Sequence, residues 1–442
     1  MFIYLLTRLP STPILRKETQ ARDSGGRTGE SMNTQDQRTR EIRAQAKLGS
    51  DHSAMRARNE RLVLTLIRRR GALPKSEIAR LTGLSAQTVS VIMRELEADG
   101  LLVKCAPVRG KVGQPSVPMD LAADGALFFG LKVGRRRTEM VLIDFAGEVR
   151  ARAAVRHDHP TPDATLRFAQ DTITTMSATL TATERDRICG LGIGLPFQLW
   201  DWAEALRVPE DTMRPWRSRD IRSELAATLP WPVLMENDAS AACNAELIFG
   251  DGTLPQNFLY AFVGFFIGGG LVLNGTMFAG AHGNAGALAS MPVPDGRGGS
   301  RQLVEIASLH HLEERLRATG GDGRFLWESV EGWDIAPEII DPWIAEAARG
   351  LAHVTASAVA LCDLDALVVD GWLPTPLRDR LCVETAAELA RINLSGIAPP
   401  EIIAGQAGPE AREFGAASLP LSARFLLELG SLPNDTPHPG EA

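Results

Sequence analysis

Apolar positions near the start of the chain repeat at helical spacing and predict three short helices. The first begins near Asn59 and ends at Gly71, and the second spans about Lys75 to Leu81. The third follows the turn Thr82 to Leu84, with Ser85 as its N-cap, and reaches Asp99. Two short helices joined by a glycine-containing turn have the form of a helix-turn-helix.

The outward face of the third predicted helix is polar, and side chains of these types reach base edges and phosphates in DNA. The predicted DNA contacts on this helix are Ser85, Gln87, Thr88, Ser90 and Arg94. The segment from Leu101 to Leu121 continues with apolar residues around a basic, glycine-rich tip that carries Arg109 and Lys111. This pattern predicts a winged helix-turn-helix whose cationic wing tip also contacts DNA, and the alternative is a small helical interaction domain.

Beyond Asp120 the hydrophobic pattern becomes that of an α/β protein. A three-strand meander, a helix and a further strand occur in sequence and are then repeated with elaborations. This duplication predicts an actin-like fold of two lobes with a cleft between them. Strands are predicted over 126–133, 138–145, 149–156, 188–194, 233–236, 258–263, 269–273 and 366–369, and helices over 164–180 and from Ala239, Leu303, Ile344 and Leu377.

Composition adds a charge asymmetry to this picture. The chain has 442 residues, of which 44% are hydrophobic and 23% charged, as expected for a globular protein of two or three domains. Its net charge is −7, yet residues 55–112 carry twelve Lys and Arg against five Asp and Glu. An acidic protein with a basic N-terminal segment suits a molecule in which only one part meets phosphate.

The N-terminal segment and the cysteine spacing argue against a membrane-spanning, secreted or disulfide-stabilised protein. The apolar run Met1 to Leu6 is too short for a membrane span or a signal peptide, so a cytoplasmic location is expected, with no membrane partner. Residues 1–54 and 431–442 are predicted to be a disordered and a flexible tail, respectively. No disulfide framework or thiolate metal site is predicted, because the five cysteines are far apart: Cys105, Cys189, Cys243, Cys362 and Cys382.

Five stretches together resemble the ROK family of sugar kinases and related repressors of carbohydrate genes. The stretches are 192–196, 236–242, 267–275, 280–286 and 415–417, and the resemblance covers roughly residues 57–425. It implies a winged helix-turn-helix domain over 55–122 followed by a ligand-sensing domain over 123–430. The latter is expected to have the duplicated, ribonuclease H-like fold of sugar kinases.

The resemblance also implies ligand-binding residues. In family kinases the aspartate that matches Asp238 is the general base for the attacking sugar hydroxyl, and Asn237 stands beside it. A carboxylate at a strand-to-helix junction accepts hydrogen bonds from sugar hydroxyls, but Asp238 alternatively caps the helix that follows. His282, from a loop near the site, is a further ligand candidate, and the alternative is that it only stabilises its own loop. Glu210 is another candidate, because it stands where a sugar-binding asparagine often stands in the family.

Other positions depart from the kinase pattern. The acidic DxGGT loop is replaced around Gly134 by the run Arg135 to Arg137, interpreted as a solvated turn, and Phe265 and Phe266 stand in the second phosphate loop. Large side chains there obstruct phosphate binding. The family's zinc loop, matched by residues 295–302, contains no cysteine. No ATP, metal or other cofactor and no catalytic activity are therefore expected, and Asp238 is interpreted as a vestigial base.

The leading hypothesis is a repressor of carbohydrate uptake or metabolism genes, controlled by a sugar-like ligand in a degenerate kinase cleft. Its expected partners are operator DNA, a carbohydrate or sugar derivative, and further copies of the chain in a homodimer or homotetramer. Two alternatives stay open: an active or bifunctional sugar kinase that uses Asp238 as base, and an architectural regulator without a ligand.

Overall fold

The computed structural model describes residues 54–107, 116–196 and 198–427. The predicted wing-tip residues Arg109 and Lys111, the predicted tail over 431–442 and nearly all of the tail over 1–54 lie outside these ranges. From Arg56 onward the chain forms one compact unit.

The three predicted N-terminal helices are confirmed. They are α1 (54–70), α2 (Lys75–Thr82) and α3 (Ala86–Ala98). Gly83 ends α2 in a left-handed conformation with φ of 68°, which glycine adopts without steric cost, and its N–H donates to the carbonyl of Ala79. Two short antiparallel strands follow, β1 (Leu102–Lys104) and β2 (Met119–Leu121).

The first lobe is built on a five-stranded sheet in the order β5-β4-β3-β6-β7. Its strands are β3 (Leu127–Val133), β4 (Arg137–Asp144), β5 (Val149–Arg156), β6 (Ile188–Gly194) and β7 (Val233–Glu236). Its helices are α4 (Pro162–Ala178), α5 (Ala182–Asp186), α6 (Ala203–Leu206), α7 (Glu210–Met213), α8 (Ile221–Ala226) and α9 (Asp238–Phe249). β3 pairs antiparallel with β4 and parallel with β6, as the predicted meander, helix and strand require.

The second lobe repeats this arrangement in the sheet β10-β9-β8-β13-β14. Its strands are β8 (Phe258–Val263), β9 (Gly268–Leu273), β10 (Thr276–Met277), β13 (Ala366–Gly371) and β14 (Glu401–Ala404), with the separate hairpin β11 (Pro292–Pro294) and β12 (Ser300–Gln302). Its helices are α10 (Val304–Ala307), α11 (Leu309–Ala318), α12 (Pro337–Cys362), α13 (Thr375–Leu389) and α14 (Ala411–Phe425). The duplicated α/β fold is confirmed, whereas β14 and α14 were not predicted as elements.

Helix α14 returns to the first lobe, where it packs against β3, β6 and α9. Gly192 of β6 lets the two backbones approach closely, because a Cβ there would overlap the carbonyl of Ala416. At the C-terminal end of α14, Phe425 enters a core shared by α1, α3 and the first lobe. The backbone N–H of Leu427 donates to Thr65 Oγ1 of α1 at 3.0 Å. The helix-turn-helix and the first lobe are therefore packed around one continuous core.

Truncation of Phe425 at this junction is expected to destabilise the protein strongly. Its ring is 7% exposed and lies 4.9 Å from the ring of Phe145 and 6.0 Å from that of Phe128. We expect Phe425→Ala to lower the free energy of unfolding by about 3–5 kcal/mol, as measured by urea denaturation. The control Phe278→Ala removes a ring that is 48% exposed and should have little effect. A change below about 1 kcal/mol for Phe425→Ala would contradict a tightly packed junction.

Within the described residues, no helix combines the length and the apolar composition needed to cross a membrane.

Candidate functional site

Helix α3 has a buried face and an exposed polar face. Val89, Ile92, Met93 and Leu96 are buried against the rest of the helix-turn-helix. On the other side Gln87 and Arg94 are exposed, and Thr88 and Ser90 are half-buried. The buried and polar faces of α3 are those that the sequence predicted, whereas contact of the polar face with DNA stays a prediction.

Ser85 has a structural role at the start of α3. Its hydroxyl accepts the backbone N–H of Thr88 at 3.1 Å, and the two hydroxyl oxygens lie 2.8 Å apart. This N-cap satisfies a backbone donor of the first turn. An exposed helix N-terminus with these hydroxyls suits a phosphate contact, which positions a protein on DNA without reading its sequence.

A cavity of about 970 Å³ opens between the two lobes. Residues from β3, the β3–β4 turn, the start of α9, the β8–β9 loop and α14 contribute to its wall. Three of the predicted ligand residues, Asn237, Asp238 and His282, line this single cavity. Cavities of this size accept small organic ligands, so the cleft between the lobes is the candidate ligand site.

The start of α9 places Asn237 and Asp238 differently from the capping alternative. Asn237 is the N-cap, and its Oδ1 accepts the backbone N–H groups of Ala239 and Ser240 at 3.0 and 3.3 Å. The alternative in which Asp238 caps this helix is therefore wrong. Asp238 is 8% exposed and instead pairs with Arg412 of α14, whose Nη1 lies 3.2 Å from Asp238 Oδ2.

The remaining two ligand candidates occupy different surroundings. His282 is exposed in the loop after β10 and borders the cavity. Glu210 is exposed at the first position of α7 and is not among the residues that line the cavity. A ligand contact by Glu210 thus stays a prediction for which the structure offers no supporting geometry.

Tryptophans also border the site. Trp200 and Trp216 line the cavity, and the indole N–H of Trp216 donates to the carbonyl of Pro160 at 2.9 Å. That hydrogen bond holds the buried Trp216 ring in one orientation beside the cavity.

The two loops that match the kinase phosphate loops are occupied by a cation and two aromatic rings. The Arg135 guanidinium lies 3.6 Å from the ring centroid of Phe266 and 4.3 Å from that of Phe265. Arg135 is only 6% exposed, so the interpretation of this run as a solvated turn is wrong for its first residue. A cation on an aromatic face is attracted by the ring quadrupole, most strongly when both are desolvated.

Behind these rings, α11 and the segment after it extend the aromatic packing. Phe265 stacks on the imidazole of His310 at 4.9 Å and lies 5.0 Å from Trp327. Burial lowers the pKa of Arg135 well below its usual value, whereas the nearby Asp238 carboxylate acts in the opposite direction. Because packed side chains occupy both loops, the residues present do not fit a nucleotide triphosphate with its magnesium.

A buried ionic cluster lies beside the cavity on β3, β4 and α14. Lys132 Nζ is 2.8 Å from Glu139 Oε2, and Arg137 reaches the other carboxylate oxygen at 3.0 Å. Burial, together with the charge of Glu139, raises the pKa of Glu413 to about 7. The Nη2 atom of Arg152 lies 3.3 Å from Oε1 of Glu413. These contacts fix the first residues of α14 against the sheet that forms the cavity floor.

The segment that matches the zinc loop of family kinases is a small hairpin between β11 and β12. The carboxylate of Asp295 accepts the backbone N–H groups of Arg297 and Gly299, which closes the turn without a metal. In the described part of the chain, no three or more His, Cys, Asp or Glu side chains come together in a way that could hold a metal ion. The residues of this loop do not fit a structural zinc site, which needs thiolate or imidazole ligands.

Two family models match this chain. The sequence profile of the ROK family matches residues 128–421, and a profile described as winged helix-turn-helix DNA-binding matches residues 56–103. The chain belongs to the ROK family. Its N-terminal segment is a winged helix-turn-helix, as the sequence predicted.

Curated relatives in this family include proteins with regulatory names. A xylose repressor of Caldicellulosiruptor bescii is 24% identical over 322 residues, 70% of this chain and 78% of that protein. A transcriptional regulator of Mycobacterium tuberculosis is 26% identical over 389 residues, 84% of this chain and 86% of that protein.

Solved structures show the same fold. A ROK family transcriptional regulator, a homologue of the Escherichia coli Mlc protein, has a TM-score of 0.59 and 18% identity, covering 84% of this chain and 97% of that one. A ROK family glucokinase of Streptomyces griseus in complex with glucose and AMPPNP has a TM-score of 0.52 and 22% identity, covering 66% of this chain and 99% of that one.

Proposed function

We propose that this protein is a DNA-binding transcriptional regulator of carbohydrate genes, controlled by a sugar-like ligand that binds between the lobes. The observation that carries the proposal is the joining of two features in one compact unit. Helix α3 presents an exposed polar face. In the ROK-family domain, Arg135, Phe265 and Phe266 occupy the two loops that match the kinase phosphate loops. The names of the xylose repressor and the transcriptional regulator support it.

The geometry at Asp238 argues against catalysis. A general base for a sugar hydroxyl needs an available carboxylate and a bound phosphoryl donor beside it. Here Arg412 stabilises the Asp238 carboxylate by an ion pair, and the loops that would hold the donor are occupied. The carboxylate retains its second oxygen as an acceptor, which suits ligand binding without proton transfer.

Helix α14 gives the ligand site a direct connection to the DNA-binding domain. Its second residue, Arg412, contacts Asp238, and its last residue, Phe425, packs in the core shared with α1 and α3. A ligand that competes for Asp238 would change the partner of Arg412 and shift the position of α14. We propose that this shift changes the orientation of α3 and thereby the DNA affinity.

Assembly into a homodimer or homotetramer is part of the proposal. Winged helix-turn-helix proteins commonly bind two half-sites through a dimer, so the spacing of two α3 helices would set the operator. A ligand-driven movement in each copy would change that spacing.

Selective DNA binding tests this function. The full chain is titrated against the DNA upstream of its own gene and against unrelated duplex of equal length, by fluorescence anisotropy at several salt concentrations. We expect the upstream DNA to bind about 1,000-fold more tightly at physiological salt. Equal affinity for both duplexes at every salt concentration would contradict a sequence-specific regulator.

A further inference from the structure

The wall of the cavity between the lobes has an excess of positive charge. Seven lysine and arginine side chains line it, against three carboxylates. The basic residues are Lys132, Arg135, Arg136, Arg137, Arg217, Arg219 and Arg412, and the acidic ones are Glu139, Asp220 and Asp238.

Each of the three carboxylates already has a partner. Glu139 is held between Lys132 and Arg137, and Asp238 pairs with Arg412. Asp220 caps α8, where it accepts the backbone N–H of Ser223 at 3.1 Å and its hydroxyl at 2.6 Å. A further cation of the wall, Arg219, pairs with Asp163 and Glu224, which lie outside the wall.

Two more cations of the wall, Arg136 and Arg217, are not part of these ion pairs. Arg217 is exposed at the end of the short helical turn Arg214–Arg217. Arg136 donates to the backbone carbonyl of Asp158 at 2.8 Å. Among the described residues, no Asp or Glu forms an ion pair with either guanidinium.

The loop over residues 282–290, which also lines the cavity, adds hydrogen-bonding groups that carry no negative charge. Asn284 and Ser290 line the cavity from this loop, together with the backbone around Gly286 and Ala287. Uncharged polar groups of this kind suit sugar hydroxyls. The positive charge in the cavity therefore comes from the arginines, and their electrostatic field raises the local concentration of anions.

We propose that the ligand is a monosaccharide bearing an anionic group, either a carboxylate or a phosphate, which pairs with Arg217. This inference rests on the proposed function, because it names the chemical class of the regulatory ligand. A guanidinium donates two parallel hydrogen bonds to a carboxylate or phosphate, which gives both affinity and orientation. The hydroxyls of the sugar would form hydrogen bonds with Asn237, Asp238 and the loop over residues 282–290.

Matched probes test the ligand class on the full chain. Glucose, glucuronate and glucose 6-phosphate, and the galactose counterparts of all three, are compared at constant ionic strength by isothermal titration calorimetry. We expect at least one anion to bind 10-fold or more tightly than its neutral parent. The uronate and phosphate arms distinguish the two sources of charge. Neutral sugars that bind as tightly as their anions, or no binding by any anion, would overturn the proposal.

A variant pair locates the anionic subsite. Arg217→Gln is expected to lower the affinity for the anionic sugar about 10-fold or more without changing the affinity for the neutral sugar. Arg214→Gln is the matched control, since Arg214 lies in the same helical turn but outside the cavity wall. An unchanged anion affinity in Arg217→Gln overturns the assignment.

The outcome is separable from that of the proposed function. Selective DNA binding without a preference for anions removes only this inference. Binding of an anionic sugar by a protein that shows no selectivity for DNA would contradict the proposed regulatory function but not the assignment of the anion site.

Discussion

Replacing Gln87 and Arg94 together by alanine is expected to weaken binding to the specific DNA site by about 30-fold or more. Both side chains are exposed on the polar face of α3, opposite the buried Val89 and Met93. A good base contact contributes about 1–3 kcal/mol of discrimination, so two lost contacts together exceed 2 kcal/mol. The measurement is fluorescence anisotropy with specific and unrelated duplexes at one salt concentration.

The control for this variant is Arg391→Ala. Arg391 is also exposed, but it follows α13 in the second lobe and pairs with Glu388. We expect both variants to retain the melting temperature of the unchanged protein, since exposed substitutions have small effects on stability. Specific affinity that is unchanged in the double variant would exclude α3 as the recognition helix.

Replacing Asp238 by asparagine is expected to weaken ligand binding by about 10- to 100-fold. The substitution keeps the size of the side chain and an acceptor for Arg412, but it removes the charge that strengthens hydrogen bonds from hydroxyls. Hydrogen bonds to a charged group contribute about 1.5–3 kcal/mol, which corresponds to this range of affinity. Isothermal titration with the sugar derivative that binds the unchanged protein most tightly gives the value.

Asp379→Asn is the matched control, because Asp379 also pairs with an arginine, Arg378, but is exposed on α13. A fall in the melting temperature of Asp238→Asn that Asp379→Asn does not share would assign the residue a role in the fold. Undiminished ligand affinity would remove it from the ligand site.

Local sequence patterns were sufficient for most of the fold. Helical spacing and caps predicted α2 and α3, since these signals are contained within a few residues of each element. The last helix was not predicted, because Gly415 and Pro420 interrupt its helical pattern and its burial depends on distant partners. Gly415, for example, is required by close approach to the backbone of Ala241, which no local pattern reveals.

The ligand site was predicted where a family motif marks it and missed where it depends on the tertiary fold. Asn237, Asp238 and His282 were identified and line one cavity. Arg412 was not, because it is 174 residues from Asp238 and no motif marks it. Arg135 belongs to a run of three arginines that is typical of a solvated turn, and its burial results from Phe265 and Phe266 of the other lobe.

A reciprocal titration tests whether the cavity and α3 are coupled through α14. DNA affinity is measured with and without saturating ligand, and ligand affinity with and without saturating operator DNA. We expect each partner to change the affinity of the other by the same factor, about 5- to 150-fold. Ligand and DNA that bind to the same preparation without changing each other's affinity would contradict this coupling.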